Sequence, residues 1–246
     1  MKNILYLAVL LLLPFTVIGC NNNDDYQTEY ISLGSVDRET TGDFLLKLDD
    51  GELVRPLSFN SDAENGKRIL MTFVYENDYA ESAVIDHDVR LTGFSWVLTK
   101  DIIDLTNDNK DEVGNDPFVG IEGIDTGGGY INVYFCFLAD YEQHLINMVE
   151  NKIEDSSSTS TDEINLEFRQ NAHGETAGYE YLGLASFPIK KYIDKAVGKD
   201  KITFNIKVKL YNGQENNIKV SYNIKSPEKS IVSQGENKYI NSSHFK

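Results

Sequence analysis

The sequence predicts an all-β protein, a small five-stranded barrel followed by a two-sheet sandwich of the immunoglobulin-like kind. Three observations predict it. Short apolar runs alternate at period two along most of the chain, as strands with one buried face do. Asp-Gly, Asn-Gly and Gly-rich turns separate these runs. One acidic stretch, residues 99–117, breaks the pattern and divides it into residues 30–98 and 118–225.

A leader comes first. Lys2 precedes an apolar run over residues 4–18, which closes on Val17-Ile18-Gly19-Cys20. A basic start, a short apolar core and a small residue before the cut make a secretory signal. The run is about 15 residues long, short of the roughly 20 needed to span a bilayer, and Pro14 interrupts it. A Cys directly after the small residue fits a bacterial lipobox. Residues 1–19 are therefore expected to be removed and Cys20 to be lipidated. One acyl chain holds a protein only reversibly; the three chains of a mature bacterial lipoprotein anchor it firmly. Residues 20–29, with Asn21-Asn22-Asn23-Asp24-Asp25, form a polar tether. The expected place is the outer membrane, at its periplasmic face or the cell surface. Acidic residues after a lipidated Cys direct some gram-negative lipoproteins outward.

In the first body, Phe44, Leu46 and Leu48 alternate with Leu45, Lys47 and Asp49. Asp50-Gly51 is a good type I′ turn centre, and Leu53, Arg55 and Leu57 continue from it, with Pro56 suited to an edge or strand end. After Gly66, Ile69, Met71, Phe73 and Tyr75 share one face while Leu70 and Val74 share the other. Apolar residues on both faces predict a closed or doubly packed sheet. Val89 and Leu91 stand in one parity and Phe94, Trp96 and Leu98 in the other, which predicts a bulge at Gly93. Five short strands in about 70 residues suit a barrel of the OB kind.

Residues 99–117 read as an acidic linker. Asp101, Asp104, Asp108, Asp111 and Glu112 surround Ile102, Ile103 and Leu105, and Gly114-Asn115-Asp116-Pro117 is a strong stop. Strands resume over residues 118–124. Gly127-Gly128-Gly129 turns the chain into the run from Tyr130 to Leu138, and strands follow over 144–149, 164–168 and 181–189. Between two of them lies a Ser-rich solvated loop at 155–162. A last hairpin turns at Asn212-Gly213 between Ile202–Leu210 and Ile218–Ile224. About seven strands fit a sandwich. Residues 226–246 are polar and read as a frayed tail.

Thr99-Lys100-Asp101-Ile102-Ile103-Asp104-Leu105, Gly114-Asn115-Asp116-Pro117 and Leu166-Glu167-Phe168-Arg169-Gln170-Asn171-Ala172 together resemble the NigD-like lipoproteins. The resemblance covers roughly residues 30–225. It implies a lipobox, an N-terminal OB-like domain and a C-terminal β-sandwich. The family takes its name from a bacteriocin operon, which implies an immunity or export factor as one reading. The family pattern often has His where this chain has Gln170, so the resemblance carries no His-dependent role here.

Charge and spacing exclude several chemistries. The formal charge is −16, and residues 21–98 hold 16 Asp and Glu against 6 Lys and Arg. Such a barrel repels phosphate backbones, so no nucleic-acid partner is expected. Asn107, Asn109 and Asp111 stand at positions 1, 3 and 5 of a loop, but Glu112 and Phe118 occupy the positions an EF-hand gives to Gly and Glu. An irregular oxygen site in the linker stays open. The four His residues, His87, His144, His173 and His244, have no metal-ligand spacing, and Asp86-His87-Asp88 alternates across a strand. Cys136 has no partner but the lipidated Cys20 and reads as core filler. There is no nucleophile elbow and no phosphate loop. No catalytic residue, metal or cofactor is therefore expected. The chain reads as a lipid-anchored, non-enzymatic binding or accessory module with a protein or glycan partner. Its alternatives are a bacteriocin-related immunity or export factor and a hydrolase whose site has no readable motif.

Overall fold

The computed structural model describes residues 28–77, 83–153 and 160–225. The leader at 1–19, the lipidation site Cys20, most of the tether, part of the Ser-rich loop and the tail at 226–246 lie outside the described residues.

Five strands make the first body: β1 (Tyr30–Asp37), β2 (Leu45–Leu48), β3 (Leu53–Pro56), β4 (Arg68–Asn77) and β5 (His87–Trp96). They close in the order β1-β2-β3-β5-β4, with β4 returning to pair with β1. The β3–β5 pair is parallel and the others are antiparallel. This is the OB-like barrel that the strand count predicts. The bulge falls where the parity switch places it. Thr72 faces Gly93 but Phe73 faces Leu91, so Thr92 is the extra residue. Val36, Leu46, Leu48, Val54, Ile69, Met71, Phe73 and Val89 fill the interior. Leu70 points the other way, beside its register partner Leu33. With Val97 these two pack against Tyr134 and Leu184 of the second body. The second apolar face of β4 is thus the seam between the two bodies.

The second body holds β6 (Leu98–Thr99), β7 (Ile103–Leu105), the single turn α1 (Lys110–Val113), β8 (Gly120–Gly127), β9 (Tyr130–Ala139), β10 (Leu145–Asn151), β11 (Glu163–Asn171), β12 (Tyr179–Pro188), the single turn α2 (Lys190–Ile193), β13 (Lys201–Lys209) and β14 (Glu215–Asn223). One sheet runs β14-β13-β11-β10-β7 and the other β6-β12-β9-β8. Between them lies an aromatic core. Phe118 stacks on Phe168 at 4.6 Å, and Phe135 meets both rings edge-on at 5.4 and 5.2 Å. The seven strands expected after residue 118 are all present, and Gly128 and Gly129 turn β8 into β9 at positive φ.

The acidic linker expected over 99–117 needs correction. The segment supplies β6, which pairs in parallel with β12, and β7, which pairs in parallel with β10. Ile102, Leu105 and Val113 are buried, the last two against Val149. Strands of two and three residues are too short for period two to show, and the aspartates between them face outward. The stretch is a pair of strands within the sandwich, and the barrel ends at Trp96.

Candidate functional site

Two buried polar clusters stand out among the described residues. The first sits on the seam. Asp49 follows β2, and Arg68 opens β4 with its side chain wholly buried. The guanidinium grips the carboxylate bidentately, Nη1 donating to Oδ1 at 2.5 Å and Nη2 to Oδ2 at 2.7 Å. Asn132 of β9 joins them from the sandwich. Its Oδ1 accepts from Arg68 Nη2 at 3.3 Å and from Ser186 Oγ at 2.7 Å. Its Nδ2 donates to Asp125 at 2.8 Å and to Asp49 at 3.4 Å. The Tyr130 ring lies 4.5 Å from the guanidinium, and its hydroxyl donates to the Gly66 carbonyl at 2.8 Å. The glycine hairpin makes room for this. A Cβ on Gly128 would stand 2.4 Å from Asp49 Oδ1, at a φ of +57° that side chains avoid. Burial pushes the Asp125 carboxyl up, and the Asn132 hydrogen bond opposes it. Every strong donor of Arg68 except Nε has a partner, and no part of it meets solvent. The cluster can lock barrel to sandwich, but it offers no group to a substrate.

The second cluster lies at the opposite end of β9. Glu175 precedes β12, and its carboxylate accepts three successive backbone N–H groups, of Asp140 at 3.1 Å, Tyr141 at 2.7 Å and Glu142 at 3.0 Å. The same carboxylate lies 3.1 Å from Nε2 of buried His144. Nδ1 of His144 is 3.2 Å from Gln170 Oε1, and Gln170 Nε2 donates to the Pro117 carbonyl at 2.5 Å. Burial alone pushes the Glu175 carboxyl up, but the Tyr141, Glu142 and Asp140 N–H groups and His144 outweigh it and hold it near about 2, against an ordinary 4.5. A carboxylate lowered on folding contributes stability that is complete above about 4.5 and is lost as pH falls toward about 2. Glu175→Gln is therefore expected to flatten the acid limb of the stability curve in that window. Urea melts of both proteins at pH 2.5 to 6 check it, and a constant difference across that range would refute the role.

Residues 101–222 match the family model for the NigD-like C-terminal beta sandwich domain. The sandwich belongs to the NigD-like family. The match begins at Asp101, ahead of β7, which agrees with the placement of that strand in the sandwich. Solved structures resemble this chain over both bodies. One is a protein of unknown function, DUF1344, from Bacteroides vulgatus ATCC 8482, 23% identical, with TM-score 0.68 over 82% of this chain and 95% of that one. Another is a NigD-like immunity protein from Bacteroides caccae ATCC 43185, 19% identical, with TM-score 0.57 over 78% and 93%. A third, a candidate lipoprotein from Bacteroides fragilis NCTC 9343, is 11% identical, with TM-score 0.58 over 78% and 97%. At these identities the likeness is one of fold. No curated protein matches the chain.

The residues singled out in the sequence have these places. Cys20 and His244 lie outside the described residues. Cys136 is on the outer face of β9, its Sγ donating to Glu122 Oε1 at 3.3 Å. Burial and that carboxylate push the thiol up to about 12, so at neutral pH it stays protonated and unreactive. Asp86 accepts from the Leu53 N–H at 2.7 Å and Asp88 binds Arg55 at 2.8 and 2.9 Å, so both carboxylates flanking His87 tie β5 to β3. Asn109 folds its own loop, accepting from the Thr106 N–H at 2.8 Å and donating to the Asp104 carbonyl at 2.9 Å. Among the described residues no three His, Cys, Asp or Glu side chains are grouped to hold a metal ion. Gln170 is buried against His144, in a cluster that joins the motif strand β11 to the start of β10. Sequence reading missed Asp49, Arg68, Asn132, Ser186 and Glu175. Nothing in the order of residues marks them, because their partners are 7 to 83 positions away or are backbone groups.

Proposed function

We propose that this protein is a lipid-anchored accessory module of the bacterial cell envelope that acts by binding a protein partner and carries out no chemistry of its own. The observation that carries the reading is the Asp49–Arg68–Asn132 junction, which makes barrel and sandwich one rigid frame. Such a frame holds loops of both bodies in fixed relation, as a binding scaffold needs. The buried groups that chemistry would draw on support the same reading. His144, Glu175, Asp49 and Arg68 are each committed to internal partners, and the Cys136 thiol is held protonated. The anchor is Cys20, and the outer membrane is the proposed site. The candidate lipoprotein of the same fold is in keeping with that. The NigD-like immunity protein of the same fold favours a second, narrower reading, an immunity or export factor associated with a bacteriocin.

The test is affinity capture from outer membranes with the lipidated protein. With a net charge of −16, encounter with a basic partner is steered by charge, and affinity is expected to weaken about tenfold between roughly 0.05 and 0.5 M salt. Single-stranded DNA is not expected to compete. A defined hydrolytic activity abolished by changing one or two carboxylates would overturn the proposal.

A further inference from the structure

We infer that the end of the sandwich formed by the 140–144 and 172–178 loops is the partner-docking surface, and that it receives a cationic protein segment between Tyr141 and Tyr179. The inference rests on the binding reading above and adds the site and the chemistry of its occupant. Tyr141 is 89% exposed and Tyr179 is 74% exposed. Tyr179 pairs with Ala139 across β12 and β9, and Tyr141 follows two residues later, so both phenols stand at the same end of the sheet.

An exposed tyrosine on a loose loop would need no explanation. This loop is not loose. The Glu175 carboxylate binds the three consecutive N–H groups of Asp140, Tyr141 and Glu142, and buried His144 braces the carboxylate from behind. His144 in turn is held by Gln170 and packs 5.4 Å from the Phe137 ring. On the other loop, His173 takes a φ of +50° that is strained for a side chain, and Gly178 lets the backbone pass where a Cβ would stand 2.5 Å from the Ala139 carbonyl. A hydrogen-bonded carboxylate brace and a strained turn thus fix the backbone beneath two aromatic rings that remain in water. Rigid tyrosines lose little entropy on binding and make strong contact anchors.

The rim decides the occupant. Asp140 and Glu142, on either side of Tyr141 in the braced loop, are exposed. Carboxylates beside aromatic faces fit Arg or Lys side chains, which gain ion pairing at the rim and cation–π contact with the rings. Val197 is equally bare, at 87%, but stands between Lys195 and Lys199, and the nearest carboxylates in sequence, Asp194 and Asp200, are paired with Lys190 and Lys225. It serves as the internal control.

The experiment uses the full lipidated chain in its native cells, with the photo-crosslinking amino acid p-benzoylphenylalanine placed at 141, at 179 or, as control, at 197. The expected result is one protein adduct from 141 and 179 and none from 197. Its crosslinked peptide should carry net positive charge, and its yield should fall when salt is raised. In the purified pair, Tyr141→Ser with Tyr179→Ser is expected to weaken binding about 30-fold, the size of a hot-spot loss. Glu175→Gln, with a melt showing the fold retained, is expected to weaken it with both tyrosines intact, by releasing the loop. An adduct that resists protease and yields to glycosidase, a lipid adduct, a neutral or acidic crosslinked peptide, or equal yield from 197 would each overturn the surface. Strong adducts from other positions with none from 141 and 179 would discard this surface and leave the binding function standing.

Discussion

Asp49→Ala is expected to destabilise the protein by about 3–5 kcal/mol, the cost of removing one partner from a buried ion pair. Arg68 has no exposed surface, so its charge cannot turn to water when the carboxylate is gone. Only the 3.3 Å contact with Asn132 and the Tyr130 ring would remain to it. In a protein of this size the melting temperature should fall by roughly 6–20 °C. The double variant Asp49→Ala/Arg68→Met removes the uncompensated charge and is expected to recover most of the loss, because apolar replacement of a buried pair is often near neutral. Thermal and urea melts of wild type, both single variants and the double variant check this as a cycle. A loss below about 1 kcal/mol for Asp49→Ala would mean that the seam is held by Leu33, Leu70, Val97, Tyr134 and Leu184 alone. Gly128→Ala should destabilise in the same direction, since its Cβ would enter the space of the Asp49 carboxylate.

Cys20→Ser is expected to move the protein from wholly membrane-bound to wholly unacylated. The thiol accepts the diacylglyceryl group before cleavage, and a hydroxyl does not replace it there. The precursor should then stay uncleaved or go to the wrong place. Each buried methylene of an acyl chain contributes about 0.8 kcal/mol, so losing every chain removes the lipid anchor and leaves only the uncleaved apolar run, residues 4–18, to touch the membrane. Metabolic labelling with an alkyne fatty acid, read beside membrane fractionation, checks it. Equal label in wild type and variant would remove the anchor from the functional reading.

The barrel was legible because each of its long strands carries a full period-two pattern, and the shift from Val89 and Leu91 to Phe94 and Trp96 marked the bulge to within one residue, at Gly93 where Thr92 is the extra one. Residues 99–117 were not legible. A strand of three residues gives one and a half periods, and Asp101 and Asp104 beside Ile102 and Leu105 resemble a solvated linker until β10 is seen to cover them. Glu175 illustrates a different limit. It stands among Gly, Thr and Ala in what reads as a polar loop, and the three N–H groups that it binds lie 33 to 35 residues earlier and are backbone, which no side-chain pattern records.

By itself the sequence determined the all-β class and the division into a barrel and a sandwich, and it carried the expectations of a lipidated Cys20 and of no nucleic-acid partner. These follow from periodicity, local turn chemistry and composition, which are properties of neighbouring residues. Only the tertiary structure decided that Leu70 faces the seam, that Arg68 and Asp49 are a buried pair and not surface charges, and that Tyr141 rides on a braced loop. Those facts depend on where distant segments meet. The free energy of a charge or a ring is set by the water and the partners around it, and neither exists until the chain has closed.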